Sequence, residues 1–318
     1  MIEVKNLTKY YGDKPGVRDV SFTIEDRSIV GLLGPNGAGK STLMKMLTGY
    51  HMPTSGEIII NGIDAIAKPK EALKAVGFMP EIPPLYVDMT VEDFLTFCAK
   101  IRGVGKKELK EHVHLAMEKA DICHVAGRLI RNLSKGFRQR VGLAQALIGQ
   151  PEILIMDEPT VGLDPKQMAE FRQLMLNLGK DHTIIISSHI LSEINQICEK
   201  ILIFNKGRLV AQDSVENLED SMLQGDCFLL KLKADREKAI RLLSGLEGIR
   251  ELQDCSDGVG QADSCCLRIE GQGDGLRERI FRCCAQENMP ILELNSQRLS
   301  LEQVFLQLTE EEGKAEEA

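Results

Sequence analysis

Hydrophobic positions follow two rhythms along the first two thirds of the chain. Ser28 to Leu33, Ala75 to Met79, Ile153 to Met156 and Thr183 to Ile186 are short, almost uninterrupted apolar runs. Such runs suit strands buried on both faces of a parallel sheet. Between them the spacing becomes helical. Thr42 to Leu47 reads as a helix, and another stretch follows around Lys106 to Ala120, where Leu109, Val113, Ala116, Met117 and Ala120 share one face. A third helix runs toward Ile148. Strands alternating with helices predict an α/β domain over residues 1–219.

From residue 220 the rhythm changes. Cys227 to Lys233, Arg250 to Asp254, Cys265 to Ile269 and Ile291 to Asn295 read as strands, and Arg236 to Ser244 and Leu276 to Gln286 as helices. A βαββαβ order predicts a small ferredoxin-like α+β domain, its turns punctuated by glycines such as Gly245, Gly258 and Gly271. We expect it to span residues 220–309, closed by a helix over Leu301 to Leu308 and followed by a solvated acidic tail, 310–318. It shows no catalytic constellation, which favours dimer support or regulation.

Three apolar runs end in chemistry. After Leu33 come Gly34, Pro35, Asn36, Gly37, Ala38, Gly39, Lys40 and Ser41, a complete GxxxxGK[ST] between a strand and a helix. Glycines let backbone N–H groups converge on phosphate oxygens, and the helix start adds partial positive charge. Lys40 would reach the β- and γ-phosphates and Ser41 would ligate Mg2+. The second run ends in Asp157 and Glu158, at the strand edge where such sheets bind ligands. Asp157 would hold Mg2+ through water, and Glu158 would orient or deprotonate an attacking water. The third ends at His189, placed to donate to a γ-phosphate.

Charge and cysteine content narrow the setting. The net charge is -8, with the whole acidic excess beyond residue 219, so binding nucleic acid by phosphate neutralisation is not expected. No apolar run approaches the roughly 18–20 residues that span a bilayer, and the start of the chain is polar, which predicts a cytosolic location with its 9 cysteines reduced. Cys265 and Cys266, Cys283 and Cys284 are neighbours, with Cys255 close in sequence; their plain reading is as small core fillers. His112 and His114 are two apart on a helix, on different faces, and should not share a metal.

These phosphate-loop features admit kinases, GTPases and helicases as well. The discriminating segment is Leu133, Ser134, Lys135, Gly136, Phe137, Arg138, Gln139 and Arg140. It resembles the LSxGxxQ signature of ATP-binding cassette (ABC) ATPases, and Val161 to Pro165 is similar to the D-loop of that family. The resemblance covers residues 1 to about 219. It implies a P-loop NTPase fold with a helical subdomain between Glu81 and the signature, and ATP hydrolysis with Mg2+. It further implies a second copy, or a related cassette subunit, whose Ser134 to Gln139 segment completes each nucleotide site, with Asp164 communicating between the two. Tyr11 matches the aromatic position that stacks on adenine, with Tyr10 as a competitor, and Thr42 ends the phosphate-binding stretch. The implied partner is an integral membrane permease on a separate chain, met by the loop after Glu81, which would hold the subunit on the inner face of the cell membrane.

One position departs from the family pattern. Most cassettes have glutamine where this chain has Glu81, and an ionised carboxylate accepts hydrogen bonds but cannot donate. Glutamate there also occurs in the branch resembling bacterial drug and antibiotic exporters, which makes an export ATPase subunit the leading reading, Glu81's contact with Mg2+ being left open. The closing run Ser300 to Phe305 is similar to the ends of drug-exporter and gliding-motility ATPase subunits. Two alternatives stand beside it: a soluble cassette ATPase acting on translation or DNA-repair machinery, and a nucleotide-dependent binding module with little turnover.

Overall fold

The structure, a computed structural model, describes residues 1–214, 217, 226–255, 265–271 and 275–296. The chain divides into two compact units, Met1–Val215 and Glu216–Ala318. The expected helix at Leu301 to Leu308 and the acidic tail lie outside the described residues.

The first unit is built on a six-stranded sheet. Its strands are β3 (Ile29–Leu33), β6 (Val76–Met79), β7 (Ile153–Asp157), β8 (Thr183–Ser188), β9 (Lys200–Asn205) and β10 (Arg208–Ser214), in the order β10-β9-β3-β8-β7-β6. All neighbours pair in parallel except the edge strand β10, which runs antiparallel to β9. Every residue of β3, β7 and β8 is buried, as continuous apolar runs require in a sheet covered on both faces. The parallel register aligns Asp157 with Ser187 and Leu33 with Ser188, so the three chemistry-bearing strand ends emerge along one edge.

A second, antiparallel sheet consists of β1 (Ile2–Tyr11), β2 (Lys14–Ile24), β4 (Ser55–Ile60) and β5 (Ile63–Asp64), in the order β2-β1-β4-β5. Ile2, Val4 and Leu7 of β1 join the same apolar core as Val30, Leu32 and Ile155 of the parallel sheet. Helix α1 (Lys40–Leu47) contributes Leu43, Met44 and Leu47 to that core, which fixes the phosphate loop at its start.

The helical subdomain consists of α3 (Val91–Ile101), α4 (Leu109–Lys119) and α5 (Lys135–Leu147); a short α2 (Pro69–Ala72) precedes it. Val113, Ala116, Met117 and Ala120 are buried as their spacing predicts, while Leu109 is half-buried. Arg102, at the end of α3, donates to the carbonyls of Ile148 at 3.0 Å and Val76 at 2.5 Å, and more weakly to Ala146 at 3.5 Å. One guanidinium thus ties the end of α5 to the start of β6.

Helices α6 (Pro165–Leu178) and α7 (Leu191–Asn195) complete the first unit. In the second unit β11 (Asp226–Leu232), α8 (Arg236–Leu243), β12 (Ile249–Asp254), β13 (Cys265–Gly271), α9 (Leu276–Gln286) and β14 (Ile291–Ser296) follow the βαββαβ order read from the sequence. The sheet order is β12-β13-β11-β14 with every neighbour antiparallel, the ferredoxin-like arrangement. Leu230, Leu232, Leu267 and Ile269 pack against Ala239, Leu243, Ile280 and Cys284 of the two helices.

Candidate functional site

The three strand ends and the glycine loop surround a cavity of about 380 Å³. Its lining includes Pro35 to Thr42 with Tyr11, Glu81, Glu158 and His189. These residues lie far apart in sequence, and the parallel register collects them.

The loop is shaped by backbone constraints. Gly39 has φ +103°, and a Cβ there would stand 2.5 Å from the Gly16 carbonyl oxygen, so only glycine fits the approach to α1. Lys40 is buried; its ammonium donates to the Gly34 carbonyl at 2.5 Å and lies 3.9 Å from Glu158 Oε1. Burial lowers the pKa of this lysine, while the Glu158 and Asp157 carboxylates oppose the shift.

Glu158 sits in the left-handed region at φ +46°, an uncommon conformation for a side chain of this size. It is held there. Its N–H donates to Ser187 Oγ at 2.9 Å, and the same hydroxyl donates to Asp157 Oδ1 at 2.6 Å. Ser187 is fully buried and sets the orientation of both acids, a role the sequence reading did not give it. His189 Nδ1 lies 2.9 Å from Glu158 Oε2; with the carboxylate ionised, the ring nitrogen is the donor. A parallel bridge lies alongside, where Glu193 accepts from Thr160 Oγ1 at 2.6 Å and from Ser188 Oγ at 3.4 Å.

Tyr11 lines the cavity and Tyr10 does not. Its ring meets that of His51 edge-on, with centroids 5.6 Å apart, and the Lys9 ammonium lies 5.4 Å from its centroid. Glu81 lines the mouth with an exposed side chain.

The other expected residues lie elsewhere. Gly34 closes the loop from behind, accepting from Lys40. Asp157 is 8% exposed and lines a neighbouring groove, held by Ser187 beside the cavity rather than in its wall. Ser134 caps the start of α5, accepting from the Phe137 N–H at 3.3 Å, and Gly136 packs against Gln167 of α6. Asp164 caps α6 by accepting from the Gln167 N–H at 2.9 Å. None of these lines the cavity. Gln139, the last residue of the expected signature segment, is likewise outside the cavity wall. It is 4% exposed, and its amide points inward to the Glu81 carbonyl at 3.5 Å, because the second turn of α5 faces the segment after β6.

This donor set fits a nucleotide with a divalent cation. Two carboxylates, each at most 9% exposed, act on one buried ammonium beside a glycine loop at a helix start, Glu158 as its ion-pair partner and Asp157 as a further negative charge. The local excess of negative charge suits an added cation, and the loop suits phosphate.

Comparison with known proteins agrees. A family model described as ABC transporter matches residues 17–161. The bacitracin transport ATP-binding protein BcrA of Bacillus licheniformis is 34% identical over 97% of this chain and 97% of its own length. The chain belongs to the ABC transporter family of ATP-binding proteins. Among solved cassettes, cbiO1 of Clostridium perfringens, described as part of the ABC transporter complex cbiONQ, is 26% identical with a TM-score of 0.64, over 70% of this chain and 91% of that one. A dimeric structure of MJ0796, a bacterial ABC transporter cassette, is 25% identical with a TM-score of 0.61, over 67% and 98%. The fold of the first unit is that of an ABC ATPase, and the chain is an ATP-binding ATPase of that family. Among the described residues of this ABC ATPase, no helix is long and apolar enough to cross a membrane.

Proposed function

We propose that this ABC ATPase supplies the energy for an exporter, working as two copies that close head to tail around two nucleotides. The observation that carries the reading is the split between the residues that line the nucleotide cavity and Ser134, Gly136 and Asp164, which stand apart from it at helix starts. A helix N-terminus capped by serine favours anions, and a two-fold axis would bring the signature of each copy over the γ-phosphate of the other.

In this assignment Gly34 to Thr42 cradle the phosphates, with Lys40 as the charge-bearing contact, and Tyr11 stacks on the base. Ser41 and Asp157 would hold Mg2+, Asp157 through water, with Glu81 as a further oxygen donor; the ion would neutralise charge shared by the phosphate oxygens. Glu158 takes the proton of the attacking water, and His189, donating to Glu158, keeps its carboxylate aimed. Gln139 is a positioning residue that holds the Glu81 segment against α5. Bound ATP joins the copies and hydrolysis parts them, which gives a differential affinity able to drive a conformational cycle.

In this reading the permease would dock at the groove of about 630 Å³ lined by Tyr50, Leu73, Phe78, Pro80, Ile82 and Pro84. Ile82 is 82% exposed and Tyr50 76% exposed, so the groove carries apolar side chains toward water. The attachment would hold the chain at the inner face of the cell membrane. The relative BcrA, named for bacitracin transport, supports transport, and a relative named for Nod factor export, 33% identical over 70% of this chain, supports export as the direction.

The test is Glu158→Gln. This variant is expected to bind ATP, turn over poorly and accumulate as a dimer with Mg-ATP in size-exclusion chromatography with light scattering. A variant that binds ATP and stays monomeric at micromolar concentration would refute the shared site.

A further inference from the structure

Four cysteines of the second unit separate into two pairs once folded. Cys265 and Cys284 are buried between sheet and helices, among Leu267 and Ile280, and burial first, then neighbouring thiols, pushes Cys284 up to about 11. Cys266 and Cys255 belong to the opposite face. Cys265, Leu267 and Ile269 of β13 point toward the helices, so Cys266 between them points away. The β12–β13 register pairs Asp254 with Leu267, which sets Cys255 directly opposite Cys266, and the Cys255 N–H donates to the Cys266 carbonyl at 2.9 Å. Cys255 is exposed and Cys266 half-buried.

Opposed residues that exchange a ladder hydrogen bond have Cα atoms about 5.5 Å apart. That lies within the roughly 4.4–6.8 Å spanned by disulfides. Their Cβ atoms must still draw together by about 1–2 Å, from the cross-strand spacing of a hydrogen-bonded pair to that of a disulfide. Cys255 can supply the movement because β12 ends at Asp254. A bond made this way keeps strain and is readily reduced. Lys231, opposite Cys266 on β11, offers positive charge to a thiolate there, against the burial and the Cys255 charge that raise the Cys266 pKa.

We propose that Cys255 and Cys266 form a redox modification site, converted by a glutathione-class disulfide into a reversible intramolecular disulfide. The exposed Cys255 thiolate attacks oxidised glutathione, forming a mixed disulfide and releasing one glutathione thiolate. Cys266 then attacks the Cys255 sulfur, closing the protein disulfide and releasing the second. The two protons leave with the two reduced glutathiones, so two protein thiols are oxidised and one glutathione disulfide is reduced. The product staples the ends of β12 and β13 next to their connection, on the sheet face opposite the two described helices.

The experiment titrates the full-length chain in glutathione buffers from reducing to oxidising poise, followed by alkylation and peptide mapping. Alkylation at Cys255 and Cys266 is expected to disappear together, with a peptide joining the two and full recovery after dithiothreitol. Cys266→Ser should instead trap a stable glutathione adduct on Cys255. The proposal is overturned if both thiols stay alkylatable at the oxidising end. It is equally overturned if wild-type Cys255 keeps glutathione while Cys266 remains alkylatable, if cross-linked peptides join other cysteines, or if Cys266→Ser carries no adduct.

Discussion

Removing the Ser187 hydroxyl should damage the ATPase out of proportion to the single atom lost. Ser187 Oγ is fully buried, donates to Asp157 Oδ1 at 2.6 Å and accepts from the Glu158 N–H at 2.9 Å. A hydrogen bond to a charged group contributes about 1.5–3 kcal/mol, and a buried N–H left without an acceptor costs roughly 1–3 kcal/mol. The two terms overlap, because Asp157 and Glu158 relax together, so Ser187→Ala is expected to destabilise the first unit by about 2–4 kcal/mol. The chemical effect follows from the backbone. Glu158 at φ +46° keeps that conformation partly through this bond, and once released its carboxylate leaves the 2.9 Å contact with His189. Phosphate release should therefore fall at least about tenfold in kcat, since each 1.36 kcal/mol of barrier is a factor of ten. KM for ATP should change less, because Lys40 and the glycine loop are untouched. Urea unfolding followed by circular dichroism reads the stability and steady-state phosphate release the rate. A Ser187→Ala chain within 0.5 kcal/mol of wild type, on the scale of about ±0.5 kcal/mol typical of neutral surface changes, and with unchanged kcat would refute the role given to this hydroxyl.

Two further outcomes are expected. Burial depresses the Lys40 pKa in the nucleotide-free chain, so the ammonium loses its proton at lower pH than that of an ordinary lysine. Consequently kcat/KM for ATP should drop on the alkaline side, and Lys40→Arg should remove that limb of the profile; an identical limb in the arginine variant would assign it to another group. Tyr11→Ala should raise KM for ATP by the loss of a stacking contact worth roughly 1–3 kcal/mol with kcat nearly unchanged, whereas Tyr10→Ala should alter neither. Equal effects of the two tyrosines in a nucleotide-binding titration would count against the cavity wall seen here.

The glycine loop, Asp157, Glu158 and His189 are readable from the chain because each follows a strand whose burial on both faces leaves an unbroken apolar run. The βαββαβ order of the second unit is readable for a similar reason: its strands alternate, as Cys265 to Gly271 does residue by residue. Ser187 is not, since in sequence it is a polar residue near a strand end and its partner Asp157 lies 30 residues away on the adjacent strand. Gln139 reads from the sequence only as part of the signature; the turn of α5 on which it sits decides its direction, and that depends on where the segment after β6 passes. Between Tyr10 and Tyr11 the choice rests on strand alternation at the end of β1, where the register with β2 shifts between Lys9 and Tyr10. Cys255 and Cys266 become a pair only through hairpin register, which their spacing along the chain does not disclose.

The Arg102 clamp has a mechanical corollary. Its guanidinium grips carbonyls at the tail of the signature helix and at the root of the strand leading to Glu81, while its own side chain forms part of the wall of the apolar trough. Backbone carbonyls from two elements, fastened to one planar fork, resist sliding past each other; a lysine, with a single tetrahedral head, could not hold them in the same plane. A load applied at the trough therefore reaches the helix and the strand through the same rivet, and neither can yield without straining the other.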